Sequence, residues 1–527
     1  MDKKSWIERN HQYTLVDGES GFSINFAGMK FTDSDLNSLT DKFSVAHDEM
    51  IKLENGAIKN PDENRQVTHF SDRVEYAGSA PFQAVETFVE AVRNGEIISS
   101  TGKQFESAVI NGIGGSALGP QLMQFAINGP CWNELSSAKR SNYLKIYFLD
   151  NTDSAGFADV IQAIKPETTL VISISKSGGT QETKNNLTAF EKYYDMLELD
   201  FNRHAVAITM KESKLDKHAN ANNWLKIFEM AESTGGRTSE TSIVGHLPAS
   251  LAGIDFAAFL SGAVRMDELT RNADFKTNQA YMLAAMWYIA GNGKGDRNMV
   301  IVPYADRLVL LSRYFQQLVM ESIGKELDLD GNTVHQGINV FGNKGGTDAH
   351  AFIQQLNDGR DDFFVTFIEV LQDAMPLAMD ETINMGDYLH GFQAGLSAAL
   401  RGKGRQVIEM QICEVNEANL GMIIALYERA VAVYAELINV NAFHQPGVQS
   451  YKLAAGNILD LRETLMDKLI DLDGFKGNAA AVAAKIDLAD DEIEIAGLLD
   501  KAALNSPDSV VARAWNATAT EWIYTIK

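Results

Sequence analysis

From Phe105 onward, short apolar runs alternate with segments of helical length. Ala108-Val109-Ile110-Asn111 precedes Leu118 to Ile127. Lys145 to Asp150 precedes Ala155 to Ile164. Thr169 to Ile174 precedes Lys184 to Tyr194, and Ala205 to Thr209 closes the series. Runs this short and this apolar must be covered on both faces, which calls for a parallel sheet with helices on either side. A second series follows. It comprises a helix Asn278 to Ala290, a strand Met299 to Pro303, a long helix Asp306 to Glu326, strands Phe363 to Glu369 and Val407 to Ile412, and a helix Leu420 to Leu437. The fold class is α/β, with two doubly wound parallel-sheet domains. At 527 residues the chain exceeds what one hydrophobic core serves. The expected divisions are a mainly helical segment 1–104, α/β domains 105–272 and 273–451, and a helical C-terminal tail 452–527. That tail is Ala-rich and charged, with a turn at Asn505-Ser506-Pro507-Asp508.

With a net charge of −24 the surface repels nucleic acid and anionic membranes, so neither is expected as a partner. An anionic ligand then needs local backbone N–H groups and a few cations to hold it. Cys131 and Cys413 are the two cysteines and form no CxxC, which fits reduced thiols and a cytoplasmic setting. Met1 to Trp6 carries no apolar run of the kind that opens a signal peptide, and Gly421 to Asn439 is interrupted by Glu428, Arg429 and Glu436, so no membrane span is expected.

Two strand-to-helix turns carry chemistry. Gly112-Ile113-Gly114-Gly115-Ser116-Ala117 fits GxGxxA, with Asp150 ending the next strand, so a dinucleotide site is open on this segment. A tight turn needs glycine whatever it binds. Ser175-Lys176-Ser177-Gly178-Gly179-Thr180-Gln181-Glu182-Thr183 packs four hydroxyls, two glycines and a lysine ahead of a helix. One hydroxyl is enough for a cap. The remainder suits a phosphate ester, met by free N–H groups and the positive end of the helix dipole. Gly235-Gly236-Arg237-Thr238-Ser239 offers a guanidinium, which is equally readable as a surface arginine after a turn. Gln317, Glu321 and Lys325 form an i,i+4 row. It reads either as an exposed Glu–Lys pair or as a half-buried carboxylate beside Leu311, Tyr314 and Leu318, able to act as a base. The glycine-rich loop Gly342 to His350 presents a histidine, and Phe443 to Lys452 joins a helix to the tail. Neither a metal-ligand spacing nor GxxxxGK[ST] occurs, so no cofactor or metal is expected.

Taken in order, Gly112 to Ser116, Ser175 to Ser177 with Thr180 to Thr183, Gly235 to Arg237, Met320-Glu321-Ser322, Thr347 to Phe352 and Phe443 to Lys452 resemble the motifs of the phosphoglucose isomerase family. The resemblance runs from about residue 105 to Lys452 and points to a bacterial branch. It implies two sugar-isomerase (SIS) domains and a homodimer whose histidine reaches the partner's site. By the same resemblance Glu321 moves a proton between C2 and C1, His350 and Lys452 open the sugar ring, and Arg237 stabilises the enediolate. Ser175, Lys176, Ser177 and Thr180 would hold the phosphate, while Gly115, Ser116, Glu182, Gln317 and Gln445 would line the sugar. The chain departs from the family at Thr238, where an aromatic is frequent, at Ile323, where Asn is common, and in a segment before His350 that is one residue shorter. The expected activity is aldose–ketose isomerisation of glucose 6-phosphate and fructose 6-phosphate. The alternatives are another sugar-phosphate isomerase, a non-catalytic sugar-phosphate regulator, or, more distantly, a nucleotide-dependent oxidoreductase.

Overall fold

A computed structural model describes residues 2–505 and 510–527; residues 506–508 of the expected turn at Asn505 to Asp508 lie outside them. The chain forms two compact units, Met1–His444 and Gln445–Lys527.

The first unit contains two sheets. One has five parallel strands in the order Lys145–Leu149, Ser107–Asn111, Thr169–Ile174, Ala205–Thr209, Lys226–Glu229. The three central strands are buried along their whole length, which explains why they carry Ala, Val and Ile with no polar alternation. The edge strand Lys226–Glu229 went unread because its Lys-Ile-Phe-Glu pattern is short and half polar. Strand order reverses on either side of Ser107–Asn111. A switch of this kind leaves a crevice beyond the carboxyl ends of the strands. Both glycine-bearing turns emerge there from neighbouring strands. Asn111 links them, donating from Nδ2 to Ser173 Oγ (3.2 Å) and to the carbonyl of Thr183 (3.0 Å).

The second sheet is mixed, not purely parallel. Asn298–Pro303, Phe363–Val370 and Gln406–Ile412 run parallel, with Val340–Phe341 beside the first of them. The hairpin Thr14–Val16/Ser23–Asn25 joins Gln406–Ile412 antiparallel, so the N-terminal segment supplies strands as well as helices. The expected long helix from Asp306 to Glu326 is broken. It consists of a 3-10 turn Asp306–Leu308, an α segment Leu311–Phe315 and a π turn Gln316–Glu321. Lys325 already belongs to a short antiparallel hairpin, Lys325–Leu327 with Thr333–Gln336. The apolar helix Glu417–Leu437 is buried on nearly every face, and among the described residues no helix is long and apolar enough to cross a membrane.

The second unit is not all helical. Its helices Pro446–Leu469, Ala479–Lys485 and Glu492–Asn505 pack on a three-stranded antiparallel sheet of Lys476–Gly477, Glu521–Ile526 and Val511–Asn516. Leu465, Leu469, Val482, Ile495, Leu499 and Val511 form its core.

Candidate active site

The Gly112–Gly115 turn is shaped first by packing. Gly114 sits at φ +59°, and a Cβ there would stand 3.0 Å from the Gln317 amide nitrogen. A Cβ on Gly115 would collide with the carbonyl of Gly236. The turn therefore brings together the segment bearing Arg237 and the π turn bearing Gln317. Arg237 is buried and donates to the carbonyls of Ala442 (2.9 Å) and His444 (3.0 Å). Its Nη1 also lies 3.0 Å from Oε2 of Glu321. Gln317 Nε2 donates to the same oxygen at 3.2 Å. Burial pushes the guanidinium below its ordinary range, and Glu321 opposes that shift. The result is a half-buried carboxylate held by a cation and an amide at the crevice.

The exposed Glu–Lys pair allowed by the i,i+4 spacing does not form. Lys325 is buried, and its amine donates to the backbone carbonyl of Glu321 at 2.7 Å. Burial, helped by Arg237 and opposed by Glu321, pushes this amine down to about 7. The break in the helix is the reason: Lys325 lies past the π turn and approaches Glu321 from the end of the ladder.

The bend from Ser175 to Thr180 is built by its own hydroxyls. Ser175 Oγ accepts the N–H of Gly178 (3.1 Å) and donates to Thr180 Oγ1 (3.3 Å), while Ser177 Oγ accepts the N–H of Gly179 (3.1 Å). Gly178 adopts φ +66°, and a Cβ there would strike the backbone of Leu215. Thr180 precedes the helix Gln181–Met196 without capping it through its side chain, so the helix N-terminus keeps donors for an incoming anion. A cavity of about 230 Å³ opens beside the bend, lined by Ser175, Gly178, Thr180, Thr183, Lys184 and Lys214 among others. Lys176 Nζ lies 3.7 Å from Glu63 Oε2, which accepts from Arg65 Nε at 2.8 Å. Arg65 Nη1 in turn donates to the carbonyl of Ser233 at 2.9 Å, two residues ahead of the Gly-Gly-Arg turn. Burial and Arg65 push the Lys176 amine down to about 8, against Glu63 and Glu232.

Sequence reasoning missed Glu63 and Arg65, and it offered Lys325 only as the partner in an exposed Glu–Lys pair. The first two come from the N-terminal segment, which the sequence marks only as mainly helical. Ser116 and Glu182 are half-buried on the first turns of their helices, at the same sheet edge. His350 is exposed at the end of the 3-10 turn Thr347–His350, and among the described residues no hydrogen bond or ion pair ties it to Glu321 or Gln317. Gln445 and Lys452 are carried by the second unit, at the start of its Pro446–Leu469 helix. Asp150, the residue a dinucleotide ribose would need, accepts from Gln121 at 2.8 Å and faces Arg313 at 3.5 Å. Among the described residues no three His, Cys, Asp or Glu side chains converge as a metal shell.

The family model of phosphoglucose isomerase matches residues 33–413. A glucose-6-phosphate isomerase of Gloeothece citriformis is 47% identical over 482 residues, covering 89% of both chains. Another, from Geobacter sulfurreducens, is 42% identical over 528 residues, covering 98% of both. The crystal structure of a glucose-6-phosphate isomerase from Chlamydia trachomatis aligns at a TM-score of 0.77 and 26% identity, covering 86% of this chain and 91% of that one. The motifs, the paired sheet-edge turns and these matches agree: the chain belongs to the phosphoglucose isomerase family.

Proposed function

We propose that the chain is an aldose–ketose isomerase interconverting D-glucose 6-phosphate and D-fructose 6-phosphate, with Glu321 as the base. The observation that most supports the base assignment is the carboxylate of Glu321, gripped by Arg237 and Gln317 beside the Gly112–Gly115 turn. In the opened sugar it takes the proton from C2 and returns it to C1. The hydroxyl proton moves from O2 to O1, and Arg237 offsets the oxyanion charge that develops between them. The substrate supplies both carbons of the exchange, so the chemistry itself requires no redox partner. In this reading Ser175, Lys176, Ser177 and Thr180 hold the phosphate. Gly115, Ser116, Glu182, Gln317 and Gln445 line the sugar, and His350 and Lys452 open the ring. The two sheets of the first unit correspond to the two SIS domains, within the divisions 1–104, 105–272, 273–451 and 452–527. Glu321→Gln keeps size and hydrogen bonding but removes the base. In a coupled assay of fructose 6-phosphate conversion it should lose at least about 100-fold in kcat, the lower end of general-base contributions, with binding nearly intact. Substantial turnover in that variant refutes the assignment.

The same reading makes the enzyme a cytoplasmic homodimer with His350 serving the partner's site. An exposed apolar stretch favours a second copy: Leu371, Met375, Leu377, Met379, Met385, Tyr388 and Phe392 crowd one segment of the first unit. Sedimentation of the purified protein at the mass of one chain would remove the shared site.

A further inference from the structure

The Gln316–Glu321 π turn ends where the chain leaves the helix. The N–H of Gly324 still closes on the carbonyl of Met320 at 2.9 Å, but Lys325 opens the strand Lys325–Leu327. In a continuing helix the next N–H, that of residue 325, would have satisfied the carbonyl of Glu321. The Lys325 ammonium stands in its place at 2.7 Å, with the residue only 4% exposed. Arg237 and Glu321 are the charged groups that act on this amine, which in turn acts on His444. No carboxylate forms an ion pair with it among the described residues; the carboxylate of Glu321 is taken by Arg237 and Gln317. A buried cation without a carboxylate partner is a poor stabiliser, and an apolar side chain of equal size fills such a place at lower cost. What this cation does fix is the backbone of one residue, the one whose side chain carries the chemistry.

We propose that Lys325 is a positioning residue for the isomerisation: by holding the carbonyl of Glu321 it sets the reach of that carboxylate, and its charge adds to that of Arg237 where the enediolate forms. The proposal rests on Glu321 being the base. It makes sense of an amine buried beside a guanidinium, since the repulsion between them is relieved when negative charge develops on the substrate. Three variants test it: Lys325→Met, Lys325→Arg and Glu321→Gln, each measured for kcat, KM and melting temperature. Lys325→Met should lose about 10- to 100-fold in kcat, the effect of displacing a catalytic group by roughly an ångström, with KM nearly unchanged. Its melting temperature should equal or exceed that of the wild type, because a buried amine is gone. Lys325→Arg, which keeps charge and donors, should recover most of the loss. Unchanged kcat in Lys325→Met beside an inactive Glu321→Gln overturns the role of Lys325 and leaves the base standing. An active Glu321→Gln overturns both. A Lys325→Met protein that loses melting temperature together with kcat, and is not rescued by Lys325→Arg, assigns the lysine to the fold and also overturns the proposal.

Discussion

Lys176 is a cation whose charge depends on where it is buried. Burial and Arg65 bring it down to about 8, so it discharges as pH rises through that value. If it grips the phosphate, KM should climb across that range while kcat holds. A hydrogen bond to a charged group is worth about 1.5–3 kcal/mol, so Lys176→Met should raise KM about 10- to 100-fold at neutral pH and flatten the climb. A fall in kcat at constant KM would instead place the amine in the transition state. Lys176 and Glu321 stand out as candidates in the sequence because each sits in a run of unlike chemistry: hydroxyls and glycines around one, an apolar stripe beside the other. Their partners do not. Glu63 and Arg65 meet Lys176 across more than a hundred residues of chain, and Lys325 was masked by a spacing that ordinarily means a surface pair. His350 draws notice by its glycine-rich loop, but its role comes only from the resemblance, and in one chain the residue is exposed.

At the level of elements, buried parallel strands are the easiest to read. Thr169–Ile174 and Ala205–Thr209 fall where the apolar runs put them, because burial on both faces favours apolar residues and admits only small hydroxyls that find hydrogen-bond partners, such as Ser173 and Thr209. Reading failed where period and local geometry part. The stretch from Asp306 has helical periodicity, yet a π turn widens the ladder at Gln316–Glu321 and ends it early. That widening holds Gln317 and Glu321, the residues proposed to face the sugar, and departures from regular structure are expected at such sites. In the tail, composition misled: the Ala-rich, charged stretch reads as helix throughout. Val511–Asn516 and Glu521–Ile526 pair as a hairpin, and Glu521–Ile526 alternates in burial from residue to residue. The N-terminal hairpin escaped for another reason. Its strands are three residues each and become strands by adding to Gln406–Ile412, nearly four hundred residues away.

At the scale of the molecule, both sheets belong to one compact unit because helices from different parts of the chain meet in its middle. Phe256–Thr270 lies against Glu417–Leu437 so closely that a Cβ on Gly262 would strike the carbonyl of Ala418, and one on Gly421 the carbonyl of Phe259. Arg73 bridges these helices, 3.0 Å from Asp267 and 2.7 Å from Glu428. Arg429 adds Asp267 at 3.2 Å and Glu54 at 2.7 Å. Glu240 faces Glu428 and Tyr314 at the edge of this network. Among the described residues Arg73 is the one cation paired with Glu428, and two buried carboxyls meet stably by sharing a proton. Burial, with the charge of Glu428 adding to it, accordingly raises Glu240 well above its ordinary value of 4.5. The native chain thus keeps a proton that the unfolded chain has lost. The stability tied to that proton is fully present below 4.5 and declines as pH rises toward the native value, by up to about 1.4 kcal/mol per pH unit for one proton. Glu240→Gln supplies a permanent N–H for Glu428 in place of the shared proton. Its melting temperature should match or fall slightly below the wild type in mild acid and overtake it increasingly toward pH 8, with isomerase activity retained. Parallel melting curves for the two proteins across that range would show that the pair carries no shared proton, and that Arg73 alone balances the carboxylates at the centre of the fold.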